Sequence, residues 1–149
     1  MANMSTDSDL LEYEPDIQNF GIQSFADLHV KTTTDILRKL RSEWWPRATY
    51  GRYDITTGTY TEMDNNLLTY SQFTRAAVYY TLAEFVMPRL STFSPDGDVF
   101  REKMVHYKEK FATEFQEILK DGVEYDSDDS GTISVAEREN LHGSGRLIR

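Results

Sequence analysis

Six apolar residues between positions 98 and 120 constrain this chain more than any other feature. Phe100, Met104, Tyr107, Phe111, Phe115 and Ile118 are separated by steps of four, three, four, four and three. That spacing puts side chains on one face of an α-helix. Charged residues fill the gaps, so the stretch predicts an amphipathic helix of about six turns with an aromatic stripe and a wet back. Asp98 is placed to cap its start after the turn Pro95-Asp96-Gly97, and Gly122 to stop it. His106 falls on the wet side. An aromatic face this long needs a partner element.

The partner lies just upstream. From Leu67 to about Leu90, Tyr70, Phe73, Ala77, Tyr80 and Met87 form one stripe, and Val78, Leu82, Phe85 and Val86 form another. A helix apolar on most sides is central to its fold or buried in an assembly. Pro88 is expected to kink or end it. The short link at 91–97 predicts an antiparallel hairpin. A third helix is predicted over Ser24 to Trp45, carrying Phe25, Leu28, Ile36, Leu37, Leu40 and Trp44 inward. It is opened by Ser24 with Asp27, closed by Pro46, and weakened by Thr32, Thr33 and Thr34. Arg38, Lys39 and Arg41 on it are either a solvated face or a contact for an acidic partner.

The expected fold is therefore mainly α: an antiparallel bundle of three main helices with a long Tyr/Thr loop and an extended C-terminal arm. The expected divisions are an acidic strap over 1–23, the helical bundle over 24–120, and the arm over 121–149. In the strap, Pro15 and Gly21 limit any helix around Leu10, Leu11, Tyr13, Ile17 and Phe20. The loop at 47–66, with Tyr50, Tyr53, Ile55 and Tyr60 around Thr57-Gly58, reads as a small hairpin or an ordered interaction loop. The arm is polar and glycine-punctuated, which predicts little contribution to the stability of the helices.

Charge follows these divisions. Residues 1–30 hold six acids and no Lys or Arg, 31–120 hold 12 acids and 13 bases, and 121–149 hold seven acids and three bases, for a net −9. Both ends are acidic, which argues against gripping a phosphate backbone. With no cysteine, disulfides, thiolate metal sites and cysteine nucleophiles are excluded. No apolar run reaches the ~18 residues of a membrane span, and no secretory pattern opens the chain, so a soluble protein made in the cytoplasm is expected. Enzyme motifs are absent. His29, His106 and His142 are far apart, and there is no nucleophile elbow, glycine-rich phosphate loop or His-Glu-x-x-His. The chain is expected not to be an enzyme.

The sharpest local signal is the run from Asp126 to Glu137. Asp126, Asp128 and Ser130 stand at positions one, three and five of an EF-hand-type calcium loop, with Gly131 at six, where the chain must turn. Thr132 would offer its carbonyl at seven, Ser134 stands at nine, and Glu137 at twelve is where a bidentate carboxylate belongs. Hard oxygen ligands in this pattern suit Ca²⁺. The alternative is an Asp/Ser/Gly-rich turn that shares the backbone chemistry alone. No second loop is present, and the preceding helix is expected to end several residues early, at Gly122.

Over most of residues 24–149 the chain resembles the head–tail connector (adaptor) proteins of tailed bacteriophages. The resemblance is carried by Leu40-Arg41-Ser42-Glu43-Trp44-Trp45-Pro46, by the helical hairpin, and by the acidic segment from Glu124 to Ser134 closed by Arg146-Leu147-Ile148-Arg149. It implies a structural virion protein at the head–tail interface, forming a dodecameric ring with copies of itself. The ring would sit between the portal and a tail-side connector or terminator protein. DNA would pass through the lumen without specific binding, and no membrane would be involved. Docking on the portal would fall to the arm, through Val123, Tyr125, Ile133, Arg146, Leu147, Ile148 and Arg149. The alternative from a different class is a calcium-binding helical module with a single EF-hand-like loop.

Overall fold

A computed structural model of the chain describes residues 3–22, 24–48, 58, 61–91, 97–134 and 137. Among them the chain is mainly helical, with no strand. Four helices carry it: α1 (Asp7–Tyr13), α2 (Ala26–Glu43), α3 (74–90) and α4 (Val99–Asp121). Single 3₁₀ turns lie at Ile17–Phe20, Trp45–Arg47, Asn65–Leu67 and Tyr70–Phe73. The chain divides into two compact units, one of residues 1–34 and 73–115, the other of residues 35–72 and 116–149. These units cut across the strap, bundle and arm expected from the sequence.

The first unit buries Leu10, Ile17, Phe25, Leu28, Val78, Leu82, Ala83, Val86, Met87 and Tyr107 in one cluster. Segments of α3 and α4 pair within it. Arg75 reaches Glu114 at 3.8 Å, the Tyr80 and Phe111 rings meet edge-on at 5.0 Å, Tyr79 stacks on Tyr107 at 6.0 Å, and Glu84 faces Lys108 at 3.9 Å. From Arg75–Glu114 through Tyr80–Phe111 to Glu84–Lys108, numbers rise along α3 while they fall along α4, an antiparallel pairing.

Pro88 does not end α3. Residues Leu82–Val86 form a π-helical turn, in which the Met87 N–H donates to the Leu82 carbonyl before the last turn, Met87–Leu90. A proline lacks the N–H of a normal helical bond, and its ring crowds the carbonyl four residues back. The wider turn accommodates both and keeps the helix continuous.

Residues 3–22 carry a short helix and a 3₁₀ turn. Thr6 caps α1 in a reciprocal box with Asp9, and Leu10 and Ile17 are fully buried. Pro15 falls after α1 and Gly21 takes φ +100° after the 3₁₀ turn, so both residues limit short elements, as their positions in the sequence suggest. The threonine run that weakens the prediction of α2 has a tertiary use. Thr32 and Thr33 are fully buried; the Thr32 hydroxyl bonds that of Thr81 at 2.7 Å, and Thr33 accepts the Met4 N–H at 3.0 Å. Glu14, at the end of α1, holds Lys103 of α4 at 2.7 Å. Burial pushes the Tyr107 hydroxyl up to about 12, and Glu14 beside it adds to the shift.

Leu10 is therefore a core residue of a segment that reads as peripheral. Leu10→Ala is expected to cost about 2–5 kcal/mol, measured by chemical denaturation. A cost below about 1 kcal/mol would show that α1 is not part of the cooperative fold.

Candidate functional site

The segment after α4 is the part of the chain richest in chemistry. Gly122, at φ +99°, turns it out of the helix. The Gln72 side chain then clamps it: its amide N–H donates to the Gly122 carbonyl at 2.8 Å, and its oxygen accepts the Glu124 N–H at 3.0 Å. Leu68 and Tyr125 form an antiparallel bridge, with the Thr69 N–H on the Glu124 carbonyl and the Asp126 N–H on the Leu67 carbonyl.

Val123 is fully buried and Tyr125 is 5 % exposed. The Tyr125 ring packs against Trp44 and Trp45 at 5.9 and 5.1 Å, and its hydroxyl accepts the Asp64 N–H. Burial raises this hydroxyl's pKa. Trp45 donates its indole N–H to the Thr61 carbonyl at 2.7 Å. The Trp44 indole N–H is buried without an acceptor among the described residues. Val123 and Tyr125, expected to face a partner, are thus inside the chain's own fold, and the arm is not extended along this stretch. The apolar strand-like pattern that suggests pairing with another chain is used on residues 64–72 instead. Ile133 is half-buried. Arg146, Leu147, Ile148 and Arg149, like most of the Tyr/Thr loop, lie outside the described residues.

From this anchored base the Asp-rich loop closes on itself. Asp126 accepts the Ser130 N–H at 3.0 Å and the Gly131 N–H at 2.8 Å. Asp129 and Gly131 take left-handed backbone angles, φ 53° and 86°, and these make the turn. Glu137 accepts the Ser134 N–H at 3.0 Å, while its own N–H reaches the Ser134 hydroxyl, the reciprocal pairing of a helix start. The other Glu137 oxygen accepts from the Ser127 hydroxyl and the Asp128 N–H. The Tyr125 N–H donates to the Glu137 carbonyl at 3.2 Å, tying the two ends of the loop.

One ligand atom each from Asp126, Asp128 and Glu137 lies within 4.8 Å of the others. Two oxygens on one Ca²⁺ are each about 2.3–2.6 Å from it, so they stand up to about 5 Å apart. The three carboxylates fit that limit. The exposed Ser130 hydroxyl lies 3.1 Å from the Thr132 carbonyl and 3.3 Å from Asp126. The ion pairs formed among the described residues all lie elsewhere. Backbone donors hold the acids ionised: the Ser134 N–H lowers Glu137 to about 2, and the Gly131 N–H lowers Asp126. Of the predicted ligands, the structure converges Asp126, Asp128 and Glu137, with Ser130 and Thr132 bonded to each other at the rim.

A second constellation was not readable from sequence. In the first unit, His29 stands between Ser5 and Asp7, with Nδ1 2.8 Å from the Ser5 hydroxyl and Nε2 2.8 Å from Asp7. Ser5 and His29 are 2 % and 3 % exposed. With Asn3, Thr6, Ser8 and Ala26 they line an open hollow at the start of α1. The trio satisfies a buried imidazole while tying the start of α1 to α2. His106, as expected, is exposed.

If the loop takes Ca²⁺, Glu137→Gln is expected to weaken that binding at least about tenfold by removing a carboxylate. Calorimetry with calcium chloride checks this. A carboxyl held low when folded favours the folded state above its unfolded value of 4.5, and that contribution fades as pH falls from 4.5 toward about 2. Ca²⁺ affinity and loop order should therefore persist at pH 5. Loss of affinity between pH 7 and 5 would contradict the ionised state.

No protein-family model, curated protein or solved structure matches the chain.

Proposed function

We propose that this chain is a structural virion protein: the subunit of a dodecameric ring that joins the portal of a phage head to the tail. The observation that carries the reading is the packing of Tyr125 on Trp44 and Trp45. The Trp-Trp-Pro helix end and the Asp-rich segment are the two most distinctive features of the resemblance. They are far apart in sequence, yet they form one aromatic cluster. The antiparallel pairing of α3 with α4 supports a helical bundle as the ring wall. A net charge of −9 suits a lumen through which DNA slides without sticking. The reading includes no catalytic role.

Because Val123 and Tyr125 are occupied within the fold, portal docking in this reading rests on residues beyond 137. The basic and apolar tip Arg146-Leu147-Ile148-Arg149 is its anchor. Removing 138–149 is expected to leave thermal unfolding within a few degrees of the full chain and to abolish co-migration with the cognate portal protein. Electron microscopy of the full chain mixed with that portal should show rings. A mixture that never yields co-migrating particles would overturn the connector role.

The convergence of Asp126, Asp128 and Glu137 favours a second reading, a calcium-binding helical module. Light scattering separates the two. A module stays monomeric with calcium and with portal, whereas a connector subunit assembles. A connector that also binds Ca²⁺ would use it to stiffen the loop that follows Tyr125.

A further inference from the structure

The hollow at the start of α1 holds an arrangement that neither the ring nor the calcium loop uses. It measures about 340 Å³, near the lower end of ligand pockets, which run from about 300 to 1,000 Å³. Ser5 and His29 line it from buried positions, Asn3, Thr6 and Ser8 from exposed ones. All these residues belong to the first unit. The hydrogen bonds fix the roles of the trio. An ionised Asp7 carboxylate can only accept, so neutral His29 carries its proton on Nε2, 2.8 Å from Asp7. Nδ1 is left as an acceptor, 2.8 Å from the Ser5 hydroxyl, whose proton therefore points at the ring. Asp7 is itself held, because the same oxygen accepts the Phe25 N–H at 3.3 Å. The ring presents Nδ1 and not Nε2 to the serine. Either nitrogen can act as base, and the bond made by the other decides which. A hydroxyl on an imidazole that is oriented by a carboxylate is the arrangement that activates a serine for acyl transfer. It is recognised by geometry, whatever the order of the three residues in the chain.

We propose that Ser5, His29 and Asp7 form a hydrolytic site for small carboxylic esters, with Ser5 as nucleophile, His29 as general base and Asp7 as the residue that positions the ring. Ser5 Oγ attacks the ester carbonyl carbon as its proton passes to His29 Nδ1. The bond from that carbon to the alcohol oxygen breaks, and the alcohol leaves with the proton. Water then gives a proton to Nδ1 and attacks the acyl-serine. Ser5 Oγ departs, takes that proton back, and the carboxylic acid is released. Each turnover consumes one ester and one water. Asp7 stabilises the imidazolium formed in both halves of the reaction. Asn3 and Ser8 bring N–H and O–H groups to the hollow, the type of donor that a developing oxyanion needs. Among the described residues the lining is polar except for Ala26, so the acyl group expected is short. This activity does not depend on the ring reading.

The full-length parent carries the first test, with no substitution. Treated with an alkyl fluorophosphonate, it should gain the mass of one phosphonyl group as Ser5 Oγ displaces fluoride, and peptide mapping should place the adduct on Ser5. p-Nitrophenyl acetate serves as the substrate probe. Ser5→Ala is expected to lose the adduct and to lower kcat at least about tenfold. Asp7→Asn is expected to lower kcat at least about tenfold with KM within about twofold of the parent, because an amide can donate to Nε2 and leave the proton on Nδ1. Thr6 and Asp9 still cap α1 in both variants, so both should melt within a few degrees of the parent. Labelling of the parent decides the question even for a variant that does not fold. A parent that takes no phosphonyl group on Ser5, or a folded Ser5→Ala variant that turns over the acetate like the parent, overturns the site. A folded Asp7→Asn variant that keeps its kcat, or loses rate through KM alone, overturns the positioning role of Asp7.

Discussion

Burial of Tyr125 between Trp44 and Trp45 is the interaction on which the second unit depends. It draws the chain leaving α4 back onto the end of α2. It also aligns Leu68 with Tyr125, so that three backbone bonds and the Gln72 clamp form around it. A short polar segment has too little apolar surface to order itself. Tyr125 in an aromatic cluster and a fully buried Val123 supply what it lacks, and the backbone then has partners for its polar groups.

That anchoring changes what the Asp-rich loop can be. A loop on a free tail would have to order itself around an ion, losing conformational entropy as it did so. Here both ends are tied, the Tyr125 N–H to the Glu137 carbonyl, and the carboxylates are already turned together by backbone donors. The same donors keep Asp126 and Glu137 ionised. Preorganisation and charge therefore have one origin, the N–H groups of a tight turn with two left-handed residues.

The first unit solves a different problem. Its core is built from four stretches of chain, and the polar groups carried inward with them are each matched. His29 lies between Ser5 and Asp7, Thr32 meets Thr81, Thr33 accepts the Met4 N–H, and Glu14 meets Lys103. Most of these join residues 4–14 to α2 or α4. The N-terminal stretch is thereby integral to the first unit, and its remaining acids, Glu12 and Asp16, are exposed.

What the sequence determined by itself was whatever local periodicity and spacing express. The 3.6-residue stripe marks α4 to within a residue or two, the apolar runs mark α2 and α3, and the twelve-residue pattern at 126–137 singles out the acids that converge. Tertiary structure decided the rest, because it depends on partners distant in the chain. Thr32 and Thr33 read as weak helix formers until Thr81 and Met4 are beside them. Pro88 reads as a kink or an end, and only the folded chain shows the π-turn that makes room for it. Ser5, Asp7 and His29 carry no motif because they meet only when α1 packs on α2. Val123 and Tyr125 have the same alternating pattern whether they pair with a neighbour or with their own chain. Only the Trp44 and Trp45 surface, on which Tyr125 packs, distinguishes the two.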